Sequence, residues 1–489
     1  MNVLFGADPF LHPSLGPAVL HVIRTAYGLL LLATLLSVLP HARRYFLSER
    51  WGGYGQPGLA VDVLQNPVVL PPLLMVWLAA AVALVIGRSV VLAALVNALL
   101  CRYFFIQMRW HGVLRGMGAP GFLAYWLGAA VLLLEYTRRA APDLQGLALL
   151  ALQVDFALIM LSAGFYKCSA GYRRNEGMEL GMVNPEWGYW PQFWGRMRPD
   201  SAVFRVFNQL AWSTEVVAAV LMLSPPTRFA GGLLILLSFI FIATQIRLGF
   251  LCAMVIVCCL LFAHPGSLID LWLSGAFPQP EAVQVASAPP LANAVLGASL
   301  WTYVILLPFV RAALSYNLYA KKSLPGPLQR LIDAYANAFG IIVWRVFSAD
   351  ITNFFIRIYE QPSAGARRLI SRWGETLRFR QVAESIAVTT LFTTLKYYPS
   401  NNLLFTERLL RYARTLPCGP GGTLAFQYVN VSKRDDRFDF VPVAEYAVDA
   451  DRRTVSERIL DDSVSMRAAA AASPLHEAAR PGSYVPLGR

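Results

Sequence analysis

Charge is almost absent from several long blocks of this sequence and dense in the short gaps between them. Gly231 to Ile242 holds no Asp, Glu, Lys or Arg, and neither does Leu248 to Ala263. Backbone amides surrounded by hydrocarbon must find their partners within their own segment, so apolar blocks of about 20 residues read as helices. Only 15% of the chain is charged and 56% is hydrophobic, whereas a soluble domain carries about 25% charged residues. The pattern predicts an all-α polytopic membrane protein with a small soluble α+β region at its C-terminus. About nine transmembrane helices are expected, near 17–39, 69–86, 88–107, 119–137, 144–166, 204–224, 228–245, 248–264 and 291–313.

This divides the chain into a transmembrane domain (1–320), an interfacial amphipathic linker (321–365), a soluble α+β region (366–465) and a disordered tail (466–489). Within the linker, 326–348 reads as an amphipathic helix. Helices are expected near 374–396 and 402–415, the second capped by Asn401 or Asn402. TLAFQYVNV and FDFVPVAEYAV, joined through KRDDR, read as a β-hairpin. The N-terminus shows no charged region ahead of an early apolar core, so a cleavable signal peptide is not expected.

The net charge of +13 resides mostly in loops beside apolar helices. It is read as a topology signal and an attraction to anionic membrane lipids, and no nucleic-acid motif accompanies it. The basic loops follow helices one (Arg43, Arg44, Arg50), three (Arg109, Arg115), five (Lys167, Arg173, Arg174, Arg196, Arg198) and nine (Arg311, Lys321, Lys322). With nine spans, this places the C-terminal region in the cytoplasm. Arginine supplies 37 of the 42 basic residues, a composition that suggests a bacterial inner membrane. The six cysteines include no CxxC pair, and no metal site is expected.

Ionisable groups inside membrane helices are costly. Arg24 either snorkels from helix one or is buried. Asp155, beside Gln153, and Glu215 sit deep in helices five and six, where a structural pair and a functional site are both open readings. Gln245 and Arg247 close helix seven and mark an interface. Lys167 ends helix five; as an anchor it would reach outward to headgroups, whereas a desolvated lysine sheds its proton more readily and can serve as a base. Asp155 precedes it by about 18 Å of helix and is not its partner.

Several short motifs occur in a fixed order: Ala163-Gly164-Phe165-Tyr166-Lys167 followed by Gly177, then Ser213-Thr214-Glu215-Val216-Val217, then Gln245-Ile246-Arg247-Leu248-Gly249-Phe250, and Trp344-Arg345-Val346-Phe347. Over about residues 20–350 they resemble the vitamin K-dependent γ-carboxylase family and its bacterial relatives, the HTTM (horizontally transferred transmembrane) domain proteins. In the carboxylase the helix-end lysine deprotonates vitamin K hydroquinone. Oxygen then yields an epoxide and a base strong enough to remove a glutamate γ-proton, and carbon dioxide adds to the carbanion.

The resemblance implies Lys167 as the hydroquinone base and His111, in Trp110-His111-Gly112-Val113-Leu114, as a second catalytic group. It further implies a quinol, with oxygen and carbon dioxide as co-substrates, and a peptide or protein substrate. Asp155, Glu215 and Gln245 are the candidate lining of a quinone-sized cavity. The chain departs from the family at Phe239-Ile240-Phe241, where the carboxylase has a histidine, and in orientation, since the eukaryotic enzyme works on the lumenal side. The alternative is a non-catalytic lipid- or quinone-binding protein or assembly factor.

The orientation is directly testable. A reporter active only in the cytoplasm, fused after Arg489, is expected to be active; activity of a periplasm-specific reporter at the same position would reverse the topology.

Overall fold

The computed structural model describes residues 13–107, 118–277, 289–320, 322–344, 349–363, 365–371, 379–397, 401–419, 421–449 and 454–461. Each of the nine apolar blocks contains a helix: α1 (Pro17–Val38), α2 (Leu70–Ile86), α3 (Val90–Cys101), α4 (Gly118–Ala140), α5 (Gln145–Ser169), α6 (Ala202–Leu223), α7 (Arg228–Gln245), α8 (Leu251–Cys259) and α9 (Pro290–Ala320). Prolines start α1, α2 and α9, where the missing amide hydrogen costs nothing. Gly87, at φ 77°, ends α2 in the left-handed conformation that glycine adopts freely.

Among the described residues, five helical segments are long and apolar enough to cross a membrane: Pro17–Phe46, Pro142–Ser169, Ala202–Leu223, Pro225–Gln245 and Pro290–Ala320. This is consistent with an integral membrane protein and does not confirm the count of nine spans. Leu70–Ile86, Val90–Ile106 and Leu251–Phe262 are apolar yet shorter. α3 passes into a π-helical turn at Arg102–Ile106, and α8 tightens into a 3₁₀ turn at Leu260–Phe262. α4 is not among the five either; its C-terminal turns carry Glu135, Arg138 and Arg139.

α5 lies at the centre of the bundle, with 72% of its apolar window buried, whereas α9 lies at the rim with 17%. The rim helix continues to Ala320, past the expected end at 313, and Arg311 is an intrahelical residue, buried to 6% exposure, and not a loop charge. After it, α10 (Gly326–Phe339) is shorter than the expected 326–348 because Gly340, at φ 69°, terminates it. Trp344 is buried beside Phe122; Arg345 to Phe347, His111 and the 466–489 tail fall outside the described residues.

The C-terminal region is a five-stranded antiparallel sheet in the order β2-β1-β3-β4-β5, packed against α11 (Phe379–Tyr397) and α12 (Asn402–Ala413). Its strands are β1 (Phe354–Gln361), β2 (Arg368–Leu369), β3 (Thr423–Lys433), β4 (Phe438–Asp449) and β5 (Thr454–Ile459). The β3–β4 hairpin matches the sequence reading; Asn401 caps α12 by accepting from the Leu404 amide. A register shift between Tyr428 and Val429 falls where Pro442 enters the ladder without an amide hydrogen to give. The sheet starts at Phe354, inside the segment expected to be linker, because Phe354, Ile356 and Ile358 alternate toward the core in a two-residue period. Phe392 of α11 fills that core against Phe405, Phe426 and Tyr446.

This region docks on the chain segments that follow α1 and α5. Glu384 accepts from Arg44, Tyr45 and Tyr412, while Glu49 pairs with Arg411 and Arg414 at 3.0 and 2.6 Å. Lys433 reaches Glu179 at 2.7 Å, and the Asn184 amide donates to the carbonyls of Thr352 and Phe354. Those segments and the C-terminal region therefore share one end of the bundle.

Glu186 also lies in this joint, buried, with the Thr389 hydroxyl donating to its Oε1 at 3.1 Å. Burial pushes its carboxyl up to about 8 from an ordinary 4.5, partly offset by hydrogen bonds from Thr389, the Ile356 backbone and Ser385. The docked state therefore holds a proton that the undocked chain releases. Its contribution is fully present below about pH 4.5 and is lost as pH rises through about 8. Hydrogen exchange of β1 and α11 should quicken across that window in the wild type, and Glu186→Gln should flatten the dependence.

Candidate functional site

A carboxylate or ammonium alone in an apolar bundle costs several kcal/mol, so its partner identifies what the fold was built around. Lys167, on the last turn of α5, is 4% exposed and does not snorkel. Its Nζ lies 2.6 Å from Oε1 of Glu215 on α6 and 3.5 Å from the Ala211 carbonyl. The two helices can come this close because Gly164 lies at their crossing. A Cβ there would sit 2.7 Å from Val216 Cγ2 and 2.9 Å from the Trp212 carbonyl. The second glutamate oxygen, Oε2, is buried and without a hydrogen-bond partner among the described residues. The pair thus offers an unused acceptor beside an ammonium with two of its three hydrogens directed at Glu215 and the Ala211 carbonyl and one left to give.

Gly177, ten residues after Lys167, is a close-approach position: a Cβ would meet the Tyr172 ring at 2.4 Å. Its amide donates to Glu179, a fully buried carboxylate that also accepts from Asn208 Nδ2 at 2.6 Å and from Lys433. The polar loop after Lys167 is thereby fastened to α6 on one side and to β3 on the other.

Asp155 forms a separate network deeper in the bundle. Oδ1 receives Arg311 Nη2 at 2.6 Å, and Oδ2 receives Trp126 Nε1 and the Tyr303 hydroxyl, each at 2.8 Å. With both oxygens satisfied, Asp155 fastens α9 to α4 and α5, and Arg311 also reaches the Ile342 carbonyl. The neighbouring Gln153 donates to the Leu261 carbonyl at 2.7 Å. Gln245 belongs to a third network: its Oε1 accepts from Trp194 Nε1, and its backbone carbonyl accepts from the Tyr189 amide. Asp155, Glu215 and Gln245 are therefore not gathered around one cavity by their bonds.

Arg24 is buried rather than snorkelling, 3.7 Å from Glu135 and hydrogen-bonded to His21. Arg138 and Arg139 share that glutamate, so three arginines converge on one buried carboxylate. Arg247 donates to the Pro185 carbonyl and covers the Tyr189 ring, holding the loop between α5 and α6 in place.

Sequence reasoning overlooked Arg311, Glu135, Glu179 and Glu186 as buried partners. A usable signal existed for Arg311: the apolar pattern of α9 continues through Ala312, Ala313 and Leu314. No family model, curated protein or solved structure matches the chain.

The pair can be dissected by stability alone. Lys167→Met leaves Glu215 buried without its counter-charge and should cost about 3–5 kcal/mol. Adding Glu215→Leu should restore most of that loss in thermal unfolding of the detergent-solubilised protein. Equal destabilisation of single and double variants would show that the two side chains do not depend on each other.

Proposed function

We propose that this chain is an HTTM-like, γ-carboxylase-like integral membrane protein in which Lys167 and Glu215 act as one proton-exchanging unit on a buried acidic hydroxyl. The observation that carries the reading is the cross-helix pair with its spare Glu215 oxygen. An amine and a carboxylate 2.6 Å apart share their proton as a unit and not as two independent groups. Burial penalises separated charges, which brings the neutral tautomer within reach. In that tautomer Glu215 holds the proton and the Lys167 amine is free to accept another. The spare oxygen and the remaining ammonium hydrogen can orient a hydroxyl between them.

A reduced quinone would supply such a hydroxyl together with electrons for oxygen, and the donor and acceptor of this pair are the groups that would hold it. Carboxylation of a peptide or protein, with carbon dioxide as co-substrate, is the reaction that the resemblance adds. In this reading the C-terminal region faces the cytoplasm of a bacterial cell. The absence of the family histidine at Phe239-Ile240-Phe241 counts against carboxylation of glutamate itself, and His111 stays the second catalytic candidate that the resemblance implies.

A second reading is favoured by Gly164: so close a crossing makes the ion pair a staple between α5 and α6 in a non-catalytic quinone- or lipid-binding protein. The two readings separate on Lys167→Arg. Arginine keeps the charge but does not yield its proton near neutral pH. If the pair is a base, Lys167→Arg and Lys167→Ala should insert normally and still bind quinone. Both should lose quinol-dependent oxygen uptake by about 10²-fold or more, with partial rescue of the alanine variant by small primary amines. Full activity in Lys167→Arg would reduce Lys167 to a staple.

A further inference from the structure

The outward side of α6 carries a stripe of exposed apolar residues, Val206, Leu210, Val217 and Val220, whose spacing keeps them on one face of the helix. Near the start of this stripe is a shallow depression of about 370 Å³ lined by Asn175, Arg205, Val206, Gln209 and Leu210. One wall is held in place by the turn after α5. Gln209 Nε2 donates to the carbonyls of Tyr172 and Arg173 and to Asn175 Oδ1. Asn175 holds a left-handed φ of 63°, and its carbonyl accepts from Lys433. The wall is therefore fastened from two sides.

Its charge is one-sided. Arg205, Arg173 and Arg174 are exposed, and no ion pair is formed by any of them among the described residues. The opposing charge on this turn is the exposed Glu176, which packs over Gly171. An uncompensated guanidinium beside a concavity that opens onto a lipid-facing apolar stripe matches a molecule with a negative head and a hydrocarbon tail.

We propose that this depression binds an anionic phospholipid, its phosphodiester at Arg205 with Asn175 and Gln209 shaping the wall, and an acyl chain along Val206 and Leu210. Arg173 and Arg174 add to the local positive potential. The occupant lies against Leu210, next to Ala211, whose carbonyl receives Lys167, and so contacts the helix that carries Glu215 without entering the pair.

The experiment is native mass spectrometry of the full chain titrated with phosphatidylglycerol or phosphatidylcholine. Phosphatidylglycerol should be retained preferentially. Arg205→Gln should weaken that retention about five-fold, the effect of one basic residue near an anionic membrane surface, while Arg330→Gln, an equally exposed site on α10, should not. Leu210→Trp fills the depression without altering charge and should displace the lipid as well. Equal retention of both lipids would overturn the site. So would charge variants that act while Leu210→Trp does not, since that pattern describes a diffuse attraction with no built cavity.

Discussion

Charge inside an apolar bundle persists only where its counter-charge is held against it, and the architecture follows from where those pairs fall. Asp155 and Arg311 join the central helix to the rim helix. Glu135 gathers Arg24, Arg138 and Arg139, tying α1 to α4. Lys167 and Glu215 join α5 to α6 across Gly164. Van der Waals packing between apolar helices has little to distinguish one partner helix from another in lipid. Each ion pair supplies that distinction, because a slip of the helices strands a charge.

The same logic continues outside the bundle. Glu179, Glu384 and Glu49 each take basic or hydroxyl partners across the joint between the helical and α+β parts. Since the polar loop after Lys167 is fastened by Glu179 to Asn208 and Lys433, the end of α5 is fixed from the C-terminal sheet as well as from α6. The position of Lys167 is thus coupled to a region remote in sequence.

Much of the fold was legible because the signals are local. Charge-poor apolar blocks located α1 to α9, and period-two alternation with a polar turn located the β3–β4 hairpin. Span count was less legible, since helix length within a block depends on turns such as the π-helical Arg102–Ile106 segment that no hydropathy average reveals. β1 was hidden because Phe354 to Gln361 adjoins an amphipathic helix and pairs along its whole length only with β3 (Thr423–Lys433), far later in the sequence, while the nearby β2 covers just two of its residues. The candidate site was half legible. Lys167 and Glu215 each stood out as an ionisable group in an apolar helix, but their pairing depends on a helix crossing set by Gly164. Arg311 was read as a loop charge although the expected helix 291–313 already contained it, and the Asp155 oxygen that accounts for it lies 156 residues earlier.

That separation has a consequence in time. A ribosome adding about 5–20 residues per second leaves roughly 8–30 s between the synthesis of Asp155 and that of Arg311. Until then, Trp126 is the partner already made, and α5 waits with a carboxylate whose principal counter-charge does not yet exist. Arg24, by contrast, precedes Glu135 and is ready when α4 arrives. The bundle therefore assembles around an early pair and is sealed by a late one, and the rim helix acts as the closing piece whose arrival relieves the central helix. A chain stopped before α9 would hold the same apolar blocks but keep that carboxylate unanswered, a mark by which membrane quality control could recognise an unfinished protein.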